Sequence, residues 1–480
     1  MVAPATSRGG TSEPRVVAIV GAGFSGTAVA INLLRAAKAP LRILLIDPRE
    51  EIGAGVAYAT RDYPYPLNVA AAQMSVDPAK PQDFLDYARG TGIHAAPGDY
   101  LPRQVYGDYL RARLAEAVAG AAGARATCTH IRASAVQLRH ANGRFDLWLD
   151  DGSALGPDQI VLALGNPPPA TPRELAGIAT TDRYLRDPWS LGSLAHQDIA
   201  SVLLVGSGLT MIDAALRLAA IRPRLRHIYV VSRHGWLPQP QVSQPLAAIN
   251  PDVRGALDAA RGSTLALVRA FRAQTRAVAA AGGDWREVLA LARAQLPGVW
   301  NSLDGTQRAR FLRHVRSLWD VNRHRVPAGP LAAVQSLARM GVLEVHAGRL
   351  EEATLRDDVV EILWRPRGAA RSRAWLVDRV INCTGPDSCA ERNGDPLVQS
   401  LLANGLIRCD SRSLGIDVAA DGRVIARGGA PVDSLYYLGP WLRARDWEAT
   451  AVPELRAHAV AVAQQILAQV PERQEQRIPA

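Results

Sequence analysis

Lysine is nearly missing from this chain. Lys38 and Lys80 are its two lysines in 480 residues, and arginine supplies the rest of the 55 basic side chains. Against 45 acids this leaves a net charge of +10, but the arginines are scattered and never form a block of five or six. No nucleic-acid docking motif accompanies them, so no nucleic-acid partner is expected. The charge can instead draw in an anionic substrate or a cofactor phosphate. Cysteine is as sparse. Cys128, Cys383, Cys389 and Cys409 form no C-x-x-C pair, which argues against the redox dithiol of a disulfide reductase and for reduced, partly buried thiols. The ten histidines lack ligand spacing, so no metal is expected. No apolar run reaches the roughly 18 residues of a membrane helix. Residues 1–14 are polar, without a signal peptide's apolar segment, and are expected to be disordered. The composition, 48% apolar and 21% charged, is that of a globular protein. Two or three domains and a cytoplasmic location are the expectation.

What is present begins with a short apolar run, residues 15–20, of the kind that forms a buried parallel strand. It runs directly into Gly21-x-Gly23-x-x-Gly26, with Phe24 and Ser25 between the last two glycines. An amphipathic helical stretch follows, then a second apolar run, 41–46, closed by Asp47. Each part has a reason. Gly21 permits the tight turn, Gly23 lets backbone approach a pyrophosphate, and Gly26 lets helix and strand pack closely. The helix start offers unpaired N–H groups to phosphate. Asp47 lies about 20 residues on, where an acid accepts from a ribose. In this full context the loop reads as a dinucleotide site, and FAD is the dinucleotide expected there.

The pattern recurs. Residues 201–205 form a strand, Gly206-Ser207-Gly208 a phosphate loop, and Leu209 and Thr210 open a helix. Met211 replaces the third glycine, so looser helix–strand packing is expected. The next strand, 227–231, ends in Ser232 and Arg233 rather than an acid. An acid there would repel a 2′-phosphate, whereas Arg233 with Ser232 would welcome one, so NADPH is expected ahead of NADH. Two loops imply two dinucleotides, one delivering hydride to the other.

Two further apolar strands end in glycine, at Gly165 and Gly385. Both are expected to carry the chain across the edge of the first unit, with the proline-rich stretch 166–172 as a linker. The fold class predicted is α/β, with two Rossmann-like dinucleotide-binding domains, the second inserted in the first. The FAD domain is placed at 15–197 and 351–480, and the NAD(P) domain at 198–350. Within the latter, residues 240–330 read as helical throughout. This insertion is taken either as a cap over substrate or as a contact between copies of the chain.

The run IGAGVAY at 52–58, PLNVAAAQMS at 66–75, LYYLGP at 435–440 and WEATAVPELR at 447–456, together with the first loop, resemble the bacterial FAD/NAD(P)-binding protein family. The resemblance spans nearly the whole chain. Characterised members it is similar to are FAD-dependent urate hydroxylase and aspartate N-monooxygenases and, more distantly, lysine and ornithine N-hydroxylases. The resemblance implies that the first loop and Asp47 hold FAD, and that Asn68, Gln73, Met74 and Arg103 lie near the flavin. Ala135 and Val136 would meet the adenine through backbone. Many relatives carry a Gly-Asp pair near the C-terminal end, but here Gly439 is followed by Pro440, which removes an acid from that contact.

The implied activity is a monooxygenase that uses NAD(P)H and O2 through a flavin C4a-hydroperoxide, so the protein needs no nucleophile or metal. A small anionic substrate would need fixed cations. Arg313, Arg323 and Arg325 are the candidates, with Arg103, His324, Arg443 and Glu448 behind them. Urate is the first substrate expected, and an amine to be N-hydroxylated the second. A flavin reductase and a non-enzymatic flavin sensor remain further alternatives.

Overall fold

The computed structural model describes residues 14–121, 126–222, 224–242 and 251–469. The disorder expected for residues 1–14 falls, apart from Pro14, outside the described residues.

Two β-sheets organise the chain. The first has six strands, in the order Arg423–Ile425, Pro431–Tyr437, Gln159–Leu162, Arg15–Val20, Leu41–Ile46 and Ala126–Ile131. All its pairs are parallel except the one at the Arg423–Ile425 edge. Val17, Ala18 and Ile19, and Ile160 to Leu162, are fully buried, as expected of strands covered on both faces. The helix Phe24–Ala36 covers one face and buries Ala28 to Ile31, Leu33 and Leu34.

The second sheet has seven strands, in the order Arg373–Val377, Val359–Pro366, Leu343–Arg356, His227–Ser232, Ser201–Val205, Arg379–Asn382 and Tyr184–Leu185. Its central pairs are parallel, while Leu343–Arg356 continues into antiparallel hairpins. A small antiparallel sheet begins with Ala135–Ala141, which turns at Asn142 and Gly143, both at positive φ, into Arg144–Leu149. This is the backbone that a two-residue hairpin turn requires.

The chain leaves the first sheet after Leu162 and returns to it at Arg423, so the second unit is inserted in the first. The boundary expected at 350 is corrected here: it falls inside the long strand Leu343–Arg356, and strands as far as Asn382 pair with the second sheet. Arg379–Asn382 was read as a strand of the first unit. It pairs instead with Ser201–Val205, Arg379 opposite Val202. A four-residue, fully buried run carries no mark of its sheet. The hairpins from 343 to 377 extend the second sheet, and the strand that follows them falls into it.

The region 240–330 is helical where described. It holds Val253–Ala259, Thr264–Ala280, Arg286–Ala292, Leu296–Ser302, Gly305–His314 and Arg316–Arg323. Its core includes Val253, Leu257, Val278, Val288 and Trp300, and extends to Leu414, Ala444 and Trp447 of the C-terminal segment. The insertion therefore packs against the part of the chain that has returned to the first unit. Trp300 donates its indole N–H to the Ala444 carbonyl at 3.0 Å, and Arg293 pairs with Glu454.

Candidate cofactor and substrate cleft

Gly21 sits at φ +99°, and a Cβ there would stand 2.3 Å from the Ala163 carbonyl oxygen, at the end of the neighbouring strand. Only glycine fits both the backbone and that approach. A Cβ on Gly26 would fall 1.9 Å from the Gly21 carbonyl oxygen, which is the helix-to-strand closeness the third glycine permits. Gly23 is different, since its nearest neighbour would be Gly55 Cα at 3.5 Å. Gly23 is also the N-cap of Phe24–Ala36 and makes no side-chain cap bond. The first N–H groups of the helix are therefore left for another acceptor beside an open cradle, the fit a pyrophosphate needs. Phe24 and Ser25 are buried in the first turn.

Asp47 is almost fully buried. One carboxylate oxygen accepts from Ala22 N–H at 2.8 Å, and both accept from the Arg49 guanidinium at 2.7 and 2.8 Å. Burial pushes this carboxyl up, but the Arg49 and Ala22 hydrogen bonds outweigh it and hold the group below its usual range. Arg49, two residues on, was not singled out from the sequence, and its Nη1 is buried without a hydrogen-bond partner. It lies beside the cradle, 3.9 Å from the Cβ position of Gly55. An arginine two residues after the strand-ending acid is the signal that could have found it.

The second loop repeats the first. Gly206 has φ +107°, and its Cβ would stand 2.6 Å from the Cys383 carbonyl oxygen. Gly208 faces open space and caps Leu209–Ile221 without a side-chain bond. Met211 fills the third-glycine position as a fully buried core side chain. Ser207 Oγ lies 2.8 Å from Ser232 Oγ and 2.6 Å from the Trp236 carbonyl. Arg233 reaches Ser317 Oγ of the insertion at 3.3 Å.

This loop opens into a cleft of about 1410 Å³. Gly206 to Thr210, Ser232, Arg233 and Gly385 line one side. Arg316, Ser317, Asp320 and His324 of the insertion, with Arg443 and Thr450, line the other. These side chains form one charged wall. Glu448, nearly fully buried, accepts from Trp319 Nε1 at 2.7 Å and pairs with Arg323 at 2.9 Å. Asp320 lies 3.6 Å from both Arg316 and Arg443 and 3.9 Å from His324. Burial lowers the pKa of His324, although Glu448 and Asp320 pull it the other way.

The remaining expected site residues are distributed as follows. Arg103 donates to Asp213 of the second unit at 2.7 Å and to the Pro66 carbonyl at 3.3 Å. Its guanidinium also sits over Tyr65 and Trp189. It ties the two units together beside the 66–75 segment. Burial raises the Asp213 carboxyl, and Arg103 opposes that rise. The Asn68 carbonyl accepts from Gln241, whose own carbonyl accepts from Arg325 at 2.9 Å. Arg325 therefore reaches the 66–75 segment through one side chain, and burial with neighbouring arginines lowers its pKa to about 10. Met74 is buried and Gln73 exposed. Val136 lies in the strand Ala135–Ala141. Gly165 follows the strand Gln159–Leu162 at φ +71°. Gly439 caps the turn Pro440–Ala444, whose Trp441 N–H donates to Tyr437 Oη at 3.0 Å. Arg313 is exposed, and none of the three arginines expected to meet the substrate, Arg313, Arg323 and Arg325, lines the cleft; Arg323 is instead paired with Glu448 and Arg325 with Gln241. Among the described residues no group of acids, histidines and cysteines could hold a metal, and no helix is long and apolar enough to cross a membrane. Cys383 and Cys389 are free, and burial pushes the Cys383 thiol far up, so it stays protonated.

The chain is 25% identical to an uncharacterised protein of Mycobacterium bovis, over 94% of this chain and 95% of that one. In fold it is similar to ornithine hydroxylase from Pseudomonas aeruginosa, at TM-score 0.63 and 15% identity, covering 95% of this chain and all (100%) of that one. It is also similar to L-lysine 6-monooxygenase from Pseudomonas syringae, at TM-score 0.64 and 15% identity, over 96% of this chain and 100% of that one. A third similar structure is the cadaverine monooxygenase of Erwinia amylovora, at TM-score 0.62 and 13% identity, over 97% and 98%. All three are named for amines, and none for the urate put first from the sequence. Residues 18–167 match the family model described as FAD-NAD(P)-binding.

Proposed function

We propose that the chain is an FAD- and NADPH-dependent monooxygenase that hydroxylates the nitrogen of a small amine. The observation that carries this reading is the cleft itself. It brings the second phosphate loop, the strand-end Gly385, Thr450 at the approach to the helix Val452–Ala468, and a charged wall from the helical insertion around one space. The likeness to three amine hydroxylases covers 95% or more of this chain, a share that includes the insertion. Amine oxidation therefore takes precedence over urate oxidation.

The balanced reaction is R–NH2 + O2 + NADPH + H⁺ → R–NHOH + NADP⁺ + H2O. FAD, when bound, would supply the redox chemistry that couples NADPH to O2. The protein's part is placement. The Gly23 and Gly208 cradles would hold the two pyrophosphates, and Arg233 with Ser232 would meet the 2′-phosphate. Asp320 lines the cleft between Arg316, Arg443 and His324, and its side-chain oxygens can accept from an ammonium group there. His324, kept neutral by burial, can take the proton that the nitrogen must lose before it is oxygenated. Closing the insertion over the cleft would exclude water.

The test is NADPH oxidation and O2 uptake by the FAD-loaded protein over a panel of ornithine, lysine, cadaverine, aspartate and urate. The reading expects hydroxylamine product from at least one amine, in proportion to NADPH consumed. Urate-dependent loss of purine absorbance with no amine turnover would overturn it, as would turnover that needs no O2.

A further inference from the structure

The helical insertion touches the second nucleotide unit at the strand end that reads the cofactor. Arg233 donates to Ser317 Oγ at 3.3 Å, and Ser317 stands in the helix Arg316–Arg323. Arg233, Arg316 and Ser317 all line the cofactor cleft. The hydroxyl protons at this corner are unevenly spent. Ser207 Oγ lies 2.6 Å from the Trp236 carbonyl, which can only accept, so the Ser207 proton goes there. The 2.8 Å bond between Ser207 and Ser232 then takes its proton from Ser232. Gly235 N–H donates to the same Ser232 oxygen at 3.0 Å. Ser232 thus holds the turn after its strand in shape, and it can donate to a ligand only by releasing Ser207. Ser317 is the reverse case. It accepts from Arg233, so its own proton is unspent, and among the described residues no acceptor takes it.

The cations beside these hydroxyls are under-used as well. Arg233 has Ser317 as its hydrogen-bond partner, and among the described residues no carboxylate pairs with it. Arg316 approaches Asp320 at 3.6 Å, too far for a hydrogen bond, and Asp320 is shared with Arg443 and His324. Two guanidiniums and one hydroxyl proton therefore face the same end of the cleft without a strong acceptor. A phosphate monoester brings up to two negative charges and three acceptor oxygens. One guanidinium fork meets two of those oxygens and leaves the third for another donor.

We infer that Arg316 and Ser317 complete the 2′-phosphate site, so that the cofactor is read from both walls of the cleft. The phosphate takes the place of the direct Arg233–Ser317 bond and bridges the two walls, with Arg233 on one side and the Ser317 hydroxyl and Arg316 on the other. This rests on the NADPH reading of the second loop and adds a consequence to it. A 3.3 Å contact to a neutral hydroxyl is a loose tie, and two guanidiniums on one phosphate make a firmer one. A cofactor with the 2′-phosphate draws the insertion onto the nucleotide unit, and a cofactor without it leaves the insertion loosely held. Cofactor choice and closure of the cleft are then one event.

Adenosine 2′,5′-bisphosphate and 5′-AMP differ in that phosphate alone, and calorimetry on the FAD-loaded protein reads the binding of each. The bisphosphate should bind the native protein at least about tenfold more tightly than 5′-AMP. Arg316→Ala and Ser317→Asp should each weaken bisphosphate binding by about tenfold or more, the scale of one hydrogen bond to a charged group, and leave 5′-AMP binding unchanged. Hydrogen exchange of the amides in Arg316–Arg323 is the second readout. The bisphosphate should slow it about fivefold or more, the low end of coupling between two sites, and 5′-AMP should not. This readout uses the native protein, so it stands even where a substitution disturbs folding. Bisphosphate that binds tightly without slowing exchange in this helix overturns the inference and leaves the NADPH reading in place. Equal slowing by 5′-AMP, or folded variants that keep full affinity for the bisphosphate, do the same. Bisphosphate that binds no more tightly than 5′-AMP overturns both.

Discussion

In the first nucleotide unit Gly21 turns at φ +99° against the Ala163 carbonyl, and in the second Gly206 turns at φ +107° against the Cys383 carbonyl. Gly23 and Gly208 cap their helices in the same extended conformation. Beyond those points the units diverge. Gly26 is squeezed against the Gly21 carbonyl, whereas its counterpart Met211 is a buried core residue, so the looser packing expected there is filled by a thioether. The first unit's second strand ends in a buried acid held by Arg49, and the other's ends in Ser232 and an arginine that reaches the insertion. The turn that receives a pyrophosphate tolerates almost no variation, because a backbone carbonyl stands where any side chain would begin. The residue that ends the second strand is free to change sign, and under the proposed reading the cofactor changes with it.

The strongest way to break this comparison is to substitute each first glycine in turn. Gly21→Ala should give protein without bound FAD. Gly206→Ala should keep the flavin spectrum but raise KM for NADPH by at least about tenfold, since a non-glycine residue at positive φ alone costs about 1–3 kcal/mol. Loss of FAD from Gly206→Ala would show that the loops do not serve separate cofactors. Next in size is the link between the units. Arg103 and Asp213 are both largely buried, and removing one partner of such a pair costs about 3–5 kcal/mol. Arg103→Ala should therefore lower the melting temperature clearly, and Arg103→Ala with Asp213→Asn should recover part of the loss. An unchanged melting temperature would rule out a structural role for the pair.

A smaller effect is expected at the cofactor-reading end. Arg233→Asp should move the NADPH-to-NADH preference by about tenfold to a hundredfold, the range of a charge-assisted hydrogen bond of about 1.5–3 kcal/mol. An unchanged ratio would mean that Arg233 does not meet the 2′-phosphate. The smallest effect concerns Asp47. Its folded pKa lies below the unfolded value of 3.8, so its contribution to stability is present above that value and fades as pH falls through the folded one. Asp47→Asn should flatten that acid limb of the stability curve and leave the neutral-pH slope unchanged. A limb as steep as the native one would mean that another carboxylate governs it.

Much of this was legible because it is local. Strand, glycine turn, helix and strand-end residue follow one another within about 30 residues in each unit, and each carries its own steric reason. The strand Arg379–Asn382 was misplaced because buried four-residue runs are interchangeable until pairing decides. The charged wall was legible only as a list of candidates. Arg323, His324, Arg443 and Glu448 were singled out, but their assembly depends on the contact between Trp319 and Glu448, 129 positions apart. Arg313, Arg323 and Arg325, drawn from the same basic stretch, do not line the cleft whereas Arg316 does, because helical phase and not proximity in sequence decides which arginines face it.

The strand Pro431–Tyr437 lies beside Gln159–Leu162 in the first sheet, and this bears on how the protein is made. The unit that begins at the N-terminus is the last to be finished. Its sheet waits for a strand that leaves the ribosome after the whole second unit, a delay of tens of seconds at about 5–20 residues per second. At the end of that interval the second sheet has all its strands, and the first presents an open edge beside Gln159–Leu162. FAD should therefore be acquired at the end of synthesis, and a chain truncated before Pro431 should emerge without flavin even when its second unit has folded.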